Sequence, residues 1–473
     1  MSDASPVLWW VRRDLRLSDN PALGVACGSG RPVIPVFIHD AQIASLGAAS
    51  KWRMGQGIEA FGRALSARNS RLILRRGEAL EVLRKLITET GAGAVVWTRA
   101  YDPDGVARDK AVKAALKADG IEVRSVPGFL LFEPWTVETG QGEFYKVYTP
   151  FWKTVRTRNV PEPTPAPGMI PRPDHWPDSD EIGRLRMGAA MRRGAAVVAR
   201  HAVIGEEAAQ GRLGAFAAHR IADYKDRRDF PAAYATSGLS ENLTYGEISA
   251  RACWHAGLRA MDEGKPGAEH FLKELVWREF AWHLMWHSPY IATRNWREGW
   301  DAFPWSQDGA SPEATAWKRG RTGIPLVDAG MRQMYVTGTM HNRARMIVAS
   351  YLTKHLMTHW KIGMKWFEDH LIDWDAASNA MGWQWVAGSG PDAAPYFRIF
   401  NPETQAEKFD PDGAYRRAWI AEGRDRPTET ALSYFEAVPA CWGLSPDAPY
   451  PAPVVAVDAG RKRALAAYET RPA

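Results

Sequence analysis

Two indoles flank one amide at Trp383-Gln384-Trp385, and a stretch rich in Gly and Pro follows them as far as Pro402. Residues two apart do not share a helical stripe, where neighbours stand three or four apart, so the pair is poorly suited to packing as successive knobs of one face. Flat aromatic faces suit base stacking, and indoles also pass electrons. The chain holds 22 Trp in 473 residues, and from Trp254 onward they crowd together, with Trp277, Trp305 and Trp360 among them. A large aromatic core accounts for such a set equally well, so the neighbouring residues must decide.

Four further groupings carry chemistry. Glu274, Trp277 and Arg278 stand at i, i+3 and i+4, which sets a carboxylate, an indole and a guanidinium on one helical face; an internal Glu-Arg pair beside a packed Trp is the plain alternative. Asn342 and Met346 stand at i and i+4 beside Arg343 and Arg345, in a polar start to an otherwise apolar helix. Asp373 and Asp375 in LIDWDAASN lie ahead of Asn379. Acidic groups beside an apolar run need partners because unpaired buried carboxylates are costly, and Arg345 is the natural one for Asp373. Hard-cation loops need more oxygen ligands at tighter spacing than this, so no metal is expected. Tyr224 and the loop Thr236-Ser237-Gly238-Leu239-Ser240 supply hydroxyls and backbone amides that would hold phosphate oxygens, although any surface loop has such a composition.

These residues need a scaffold, and the first 130 residues differ from the rest. The runs VLWWV, PVIPVFI, RLILRRG, AVVWT and IEVRSV alternate with helical stretches, which predicts a doubly wound parallel sheet with helices on both faces. There is no GxGxxG and no Walker loop, so an ordinary dinucleotide site is not expected there. The Arg12–Arg16 turn after the first strand suits a ligand, an interdomain contact or a solvated loop. From Phe129 to Asp180 prolines are frequent and periodicity is weak, as in a connector that wraps the surface. Beyond His201 the spacing is helical throughout. The predicted divisions are an α/β domain over 1–130, a linker over 131–205 and an all-α domain over 206–473.

Composition sets the outer bounds. Lys and Arg exceed Asp and Glu by 60 to 54, a charge of +6 that suits a local basic groove without demanding one. Three scattered cysteines argue against disulfides and paired-cysteine zinc sites. No apolar leader or spanning run is present, and a cytoplasmic protein is expected.

The segments VLWWVRRDLRLSDNPAL, TSGLS, LVWREFAWHL, GRTGIPLVDAGMRQMYVTGTMHNRARMIVASYL, DAASNAMGWQWVAGSGPDAAPYFRIFNP and FDPDGAYRRAW follow one another along nearly the whole chain. In this order they resemble the DNA photolyase and cryptochrome family. YLTKHLMTHWKIGMKWFEDHLIDWD resembles bacterial photolyases of classes I and III. The resemblance implies an α/β domain that holds an antenna pigment and a helical domain that holds FAD in a U-shape. It places Tyr224, Thr236, Ser237, Gly238, Leu239 and Ser240 around the FAD phosphates and ribityl chain, with Arg278 and Arg345 also on the cofactor side. Asp373, paired with Arg345, and Asp375 would face the flavin, and Asn379 would lie beside its N5.

By the same resemblance Glu274, Asn342 and Met346 touch a pyrimidine dimer and Trp277 and Trp385 clasp it. Trp305, Trp360 and Trp383 carry electrons from the surface inward. Arg228, Arg343, Arg398 and Lys408 grip phosphates of UV-damaged DNA. Repair of (6-4) lesions goes with a histidine pair where this chain has His341-Asn342, so cyclobutane dimers are the implied substrate. The implied reaction is light-driven dimer cleavage by a monomeric enzyme, the alternative being a cryptochrome-type blue-light signalling protein. A 5,10-methenyltetrahydrofolate antenna is expected near Arg99-Ala100-Tyr101-Asp102, with deazaflavin as the alternative.

Overall fold

The computed structural model describes residues 5–393 and 397–470. Five parallel strands, β1 (Val7–Val11), β2 (Val33–His39), β3 (Ile73–Arg76), β4 (Ala94–Thr98) and β5 (Glu122–Val126), form one sheet in the order β3-β2-β1-β4-β5. They coincide with the five apolar runs. Side chains alternate across a strand, and β1 shows it: Val7, Trp9 and Val11 pack on one face with Phe61 and Leu65, whereas Leu8 and Trp10 pack on the other with Leu83 and Leu116. Both faces are covered by helices, as the unbroken apolar strands require.

A sheet of this kind offers a crevice beyond the carboxyl ends of its strands. Here its own side chains take up the space beyond β1. Arg12 and Arg108 lie over the Trp10 ring at 4.7 and 4.8 Å. Arg12 pairs with Asp109 at 2.7 Å, and Thr98 donates to Asp14 at 2.7 Å. The Arg12–Arg16 turn also makes an interdomain contact: Leu15 N–H donates to the Tyr245 carbonyl at 3.2 Å and Arg16 to that of Gly246 at 2.9 Å. Gly246 has φ +67°, and a Cβ on it would stand 2.8 Å from the Arg13 carbonyl carbon, so the close approach needs glycine. Arg53, fully buried, bridges Glu241 at 3.0 Å and Glu247 at 2.6 Å across the same boundary.

The connector is more ordered than its composition predicts. Tyr148–Val155 is a helix whose Tyr148, Phe151, Trp152 and Val155 enter the core of the helical region. Glu279 anchors the stretch before it, accepting from Leu131 N–H at 2.7 Å and Phe132 N–H at 3.3 Å. Burial pushes the Glu279 carboxyl up to about 7 against the opposing pull of Arg278. Five helical segments then frame the candidate site: Ala268–His287, Pro325–Thr337, Asn342–Ser350, Trp360–His370 and Ala376–Ala387. Val457–Glu469 is the last helix of the described chain.

Candidate functional site: a polar cradle, an aromatic rim and a basic groove

The polar loop and the acidic segment meet. Thr244, at the end of the short helix Ser240–Thr244, donates its hydroxyl to the Asp373 carbonyl at 3.3 Å, which ties TSGLS to LIDWD. Gly238 has φ +67°, the left-handed turn that lets the loop enter this helix. Thr236 and Ser237 are half-buried, Ser240 is exposed, and Tyr224 is buried against Phe216 and Phe271. Arg345 reaches both Asp373 oxygens, at 3.0 and 2.7 Å, and anchors its Nε on the Met340 carbonyl at 2.7 Å. The expected ion pair is present. Asp375 begins the Ala376–Ala387 helix by accepting from Ser378 N–H at 2.8 Å, and its other oxygen accepts from Trp282 Nε1 at 3.0 Å. Asn379 on that helix donates to the Met364 carbonyl at 3.0 Å, which fixes its amide plane.

Arg278 is held from the connector side. Its guanidinium stands over Phe129 at 4.3 Å, donates to the Phe129 carbonyl at 3.2 Å and pairs with Glu279 at 3.0 Å, so it serves the connector. Glu274 is accordingly free of the helical pair that its spacing allows. It contacts Arg228, with His270 Nε2 at 3.6 Å. Burial lowers the Arg228 pKa and the charges of Glu274 and Asp229 raise it, with a net upward shift, so the guanidinium is firmly cationic. Asn342 and Met346 share a face, Nδ2 to Sδ 4.0 Å.

Trp277 and Trp385 come to one rim through residues that motif reading did not supply. Tyr148, from the connector, lies flat on Trp277 with centroids 3.7 Å apart and planes 8° apart. Its hydroxyl donates to the Lys273 carbonyl at 2.6 Å. Asp392 links this pair to the second indole: its carboxyl accepts from the Tyr148 backbone, and its carbonyl accepts from Trp385 Nε1 at 3.0 Å. One face of Trp277 is therefore taken. Residues 394–396 of the loop that follows lie outside the described chain.

Although two residues from Trp385 on the same helix, Trp383 points into the core, where it meets Phe367 at 5.0 Å and Trp317 at 6.1 Å. Its buried Nε1 has no hydrogen-bond partner among the described residues. Trp360 donates to Asn295 Oδ1 at 2.7 Å, and Trp305 to the Thr353 carbonyl at 2.8 Å in the π-helical turn Tyr351–His355. The His359 ring stands beside both indoles, 5.3 Å from Trp305 and 5.4 Å from Trp360. Trp305, expected at the surface end of an electron path, is only 6% exposed, because Trp300 stacks on it at 5.4 Å.

An open groove of about 600 Å³ brings together three of the four expected phosphate-binding residues, Arg343, Arg398 and Lys408, with Phe230 and Phe409 in its wall. Arg343 lies over the Phe409 ring at 4.3 Å and pairs with Asp229 at 2.6 Å. Arg228, the fourth, joins the groove to the rim through its 3.8 Å approach to Asp229 and its contact with Glu274.

Comparison with known proteins gives the family. Residues 7–168 match the family described as DNA photolyase, and residues 271–470 match the FAD binding domain of DNA photolyase. A deoxyribodipyrimidine photo-lyase of Agrobacterium fabrum is 45% identical over 470 residues, 98% of each chain. The chain belongs to the DNA photolyase family. Its relative from Synechococcus, also a deoxyribodipyrimidine photo-lyase, is 39% identical over 439 residues, 89% of each chain. A bacterial class III photolyase from Agrobacterium tumefaciens has the same fold, with a TM-score of 0.91 and 44% identity over 99% of this chain and 98% of that one. The chain is thus an enzyme of the photolyase family, with the family's α/β and helical FAD-binding domains.

The segment expected to meet an antenna pigment in this photolyase is tightly wired. Arg99 pairs with Glu133 at 2.8 Å and lies over Trp135 at 5.3 Å, while Tyr101 is buried between Phe129 and Trp135. Asp102 starts the Pro103–Ala118 helix, and Gln42 holds it at 2.6 Å. Trp135, 38% exposed, is the open aromatic of this group. Among the described residues no group of His, Cys, Asp and Glu is arranged to hold a metal, and no helix is long and apolar enough to cross a membrane.

Proposed function

We propose that this photolyase cleaves cyclobutane pyrimidine dimers in UV-damaged DNA in a light-driven reaction, as a cytoplasmic monomer. The observation that carries the reading is the single rim formed by Trp277, Tyr148, Asp392 and Trp385, with Glu274 one helical turn from Trp277. Lesion repair requires the damaged nucleotides to leave the duplex, a cost of a few kcal/mol that damage lowers. Two indole faces recover about 1–3 kcal/mol per stacked base, which is enough to offset it. Glu274 accepts a hydrogen bond from a base N–H, and Arg228 beside it holds the carboxylate in place. Asn342 and Met346 complete the polar and soft apolar walls of the pocket.

The helical domain has the donor set that FAD needs. Thr236, Ser237 and Ser240 offer hydroxyls to phosphate and polyol oxygens at a left-handed turn, Arg345 offers a cation fixed by Asp373, and the orphaned Trp383 N–H marks an incomplete polar wall. Asn379 presents a neutral amide of fixed orientation, which tolerates several flavin redox forms. When bound, reduced FAD supplies the photoexcited electron that opens the cyclobutane ring and recovers it afterwards. Trp383, Trp360 and Trp305 are the indoles that would restore the reduced state. An antenna, 5,10-methenyltetrahydrofolate in preference to deazaflavin, would lie against Trp135 and Arg99.

The test is a dimer-containing oligonucleotide incubated with reduced enzyme in light and in darkness. Repair in light alone is expected. Equal conversion in both, or repair confined to (6-4) lesions, would refute the assignment, and binding without any repair would favour a signalling role.

A further inference from the structure

We infer that Asp229 is an internal competitor of DNA phosphate at Arg343 and so weakens the grip of the groove on the DNA backbone; the inference rests on the DNA-repair reading of that groove. Asp229 lines the groove with Arg343, Arg398 and Lys408, and its carboxylate pairs with Arg343 at 2.6 Å. Its side chain is 35% exposed, so it stands at the groove surface, where a phosphate would approach Arg343. The other cation paired with it, Arg228, stands farther off. Arg228 is committed to Glu274 and to His270, at 2.9 Å from the latter, and comes no closer to Asp229 than 3.8 Å. His341, on the same side, is held neutral because burial draws its pKa down to about 4.

A free arginine that meets a phosphate releases a condensed counterion from DNA, which is why such binding weakens as salt rises. Arg343 already has a counterion built into the chain. A phosphate that takes Arg343 leaves the Asp229 carboxylate to recruit a cation from the buffer, and that uptake cancels the release. Arg343 then contributes to the position of the DNA with little contribution to the salt dependence. The nearby carboxylate also repels the incoming phosphate, which favours release of repaired DNA.

The experiment measures binding of a lesion-free duplex to the flavin-containing protein by fluorescence anisotropy, from about 50 to about 200 mM salt. Asp229→Asn should bind more tightly at the low end. Its slope of log affinity against log salt should steepen by about 0.9, the value for one phosphate, so that its affinity falls about 3.5-fold more than that of the wild type across the range. In an Arg343→Gln background the same change should have no effect on the slope. Asp229→Ser carries the comparison if the Asn variant fails to retain flavin. Weaker binding or an unchanged slope would overturn the inference and make Asp229 a scaffold for Arg343. An equal gain in the Arg343→Gln background would overturn it too, since Asp229 would then act through the general field of the groove. A wild type that binds no DNA at any salt would remove the repair reading itself.

Discussion

Gly363 decides where Trp383 sits, and Gly363→Ala tests whether that position matters. Gly363 lies in the Trp360–His370 helix, and a Cβ there would stand 2.5 Å from Trp383 Cζ3, nearer still to Cη2, and 2.7 Å from Leu352 Cδ2. Ordinary contact begins at 3.4 Å, so the indole must withdraw by more than the 0.9 Å that Cζ3 alone would need. It has little room to do so, with Phe367 at 5.0 Å and Trp317 at 6.1 Å by ring centroid. Overpacking of a tight core costs about 1–3 kcal/mol, while Ala in place of Gly within a helix returns about 0.8–1.0 kcal/mol. The net expectation is a loss of up to about 2 kcal/mol in urea unfolding, with slower light-driven reduction of oxidised FAD and unimpaired repair by chemically reduced enzyme. The clashing atoms belong to the six-membered part of the indole, so Trp383→Phe in the same background should recover most of the stability. A Gly363→Ala protein as stable as the wild type, with unchanged photoreduction, would refute the packing argument.

Trp383→Phe alone should block reduction of oxidised FAD by light and spare repair by enzyme already reduced, as read from bleaching of the flavin band and from dimer cleavage; survival of both would return Trp383 to a role in core packing. Trp277→Ala should weaken binding of dimer-containing DNA by about 1–3 kcal/mol if the indole stacks on a base, and because Tyr148 loses its partner at 3.7 Å, affinity must be scaled to the folded fraction. His355 is buried, its ring nitrogens lack hydrogen-bond partners of ordinary geometry among the described residues, and burial, aided by Arg463 and Lys354, lowers its pKa to about 4. Between pH 6.5 and 4 the unfolded chain binds the proton and the folded chain does not, so stability falls on acidification, by about 2 kcal/mol from pH 7 to 5 for this ring. His355→Phe should flatten that part of the pH–stability curve by a similar amount; a parallel curve would show that other groups carry the acid sensitivity.

Pattern reading reached the elements whose signal is local. The central strands β1, β2 and β4 stood out as short β-branched and aromatic runs because a sheet covered on both faces tolerates no polar alternation, and Trp9 and Trp10 show the two faces directly. The Arg345–Asp373 pair was legible for a different reason: a carboxylate in an apolar stretch requires a cation, and few were near. Helical spacing failed at Arg278. It offers Glu274 as a partner, but the Phe129 carbonyl of the connector and the adjacent Glu279 of the same helix prevail at 3.2 and 3.0 Å.

The connector explains most of what the sequence withheld. Proline frequency described its chain path but carried no record of what its aromatic side chains cover, and Tyr148 covers one face of Trp277 completely enough that any base must use the other. Asp392 is equally silent in one dimension: its role lies in a left-handed backbone conformation, φ +52°, that turns its carbonyl to Trp385 while its carboxyl meets Tyr148. Such a conformation is strained for a residue with a Cβ and persists where surrounding contacts hold it. The proposed lesion-binding rim is thus set by contacts between residues 148, 277, 385 and 392, none of which shares a helical stripe with another. Its spacing follows from how the connector docks on the Ala268–His287 helix, so substitutions in the connector should alter lesion recognition without touching the cofactor cradle.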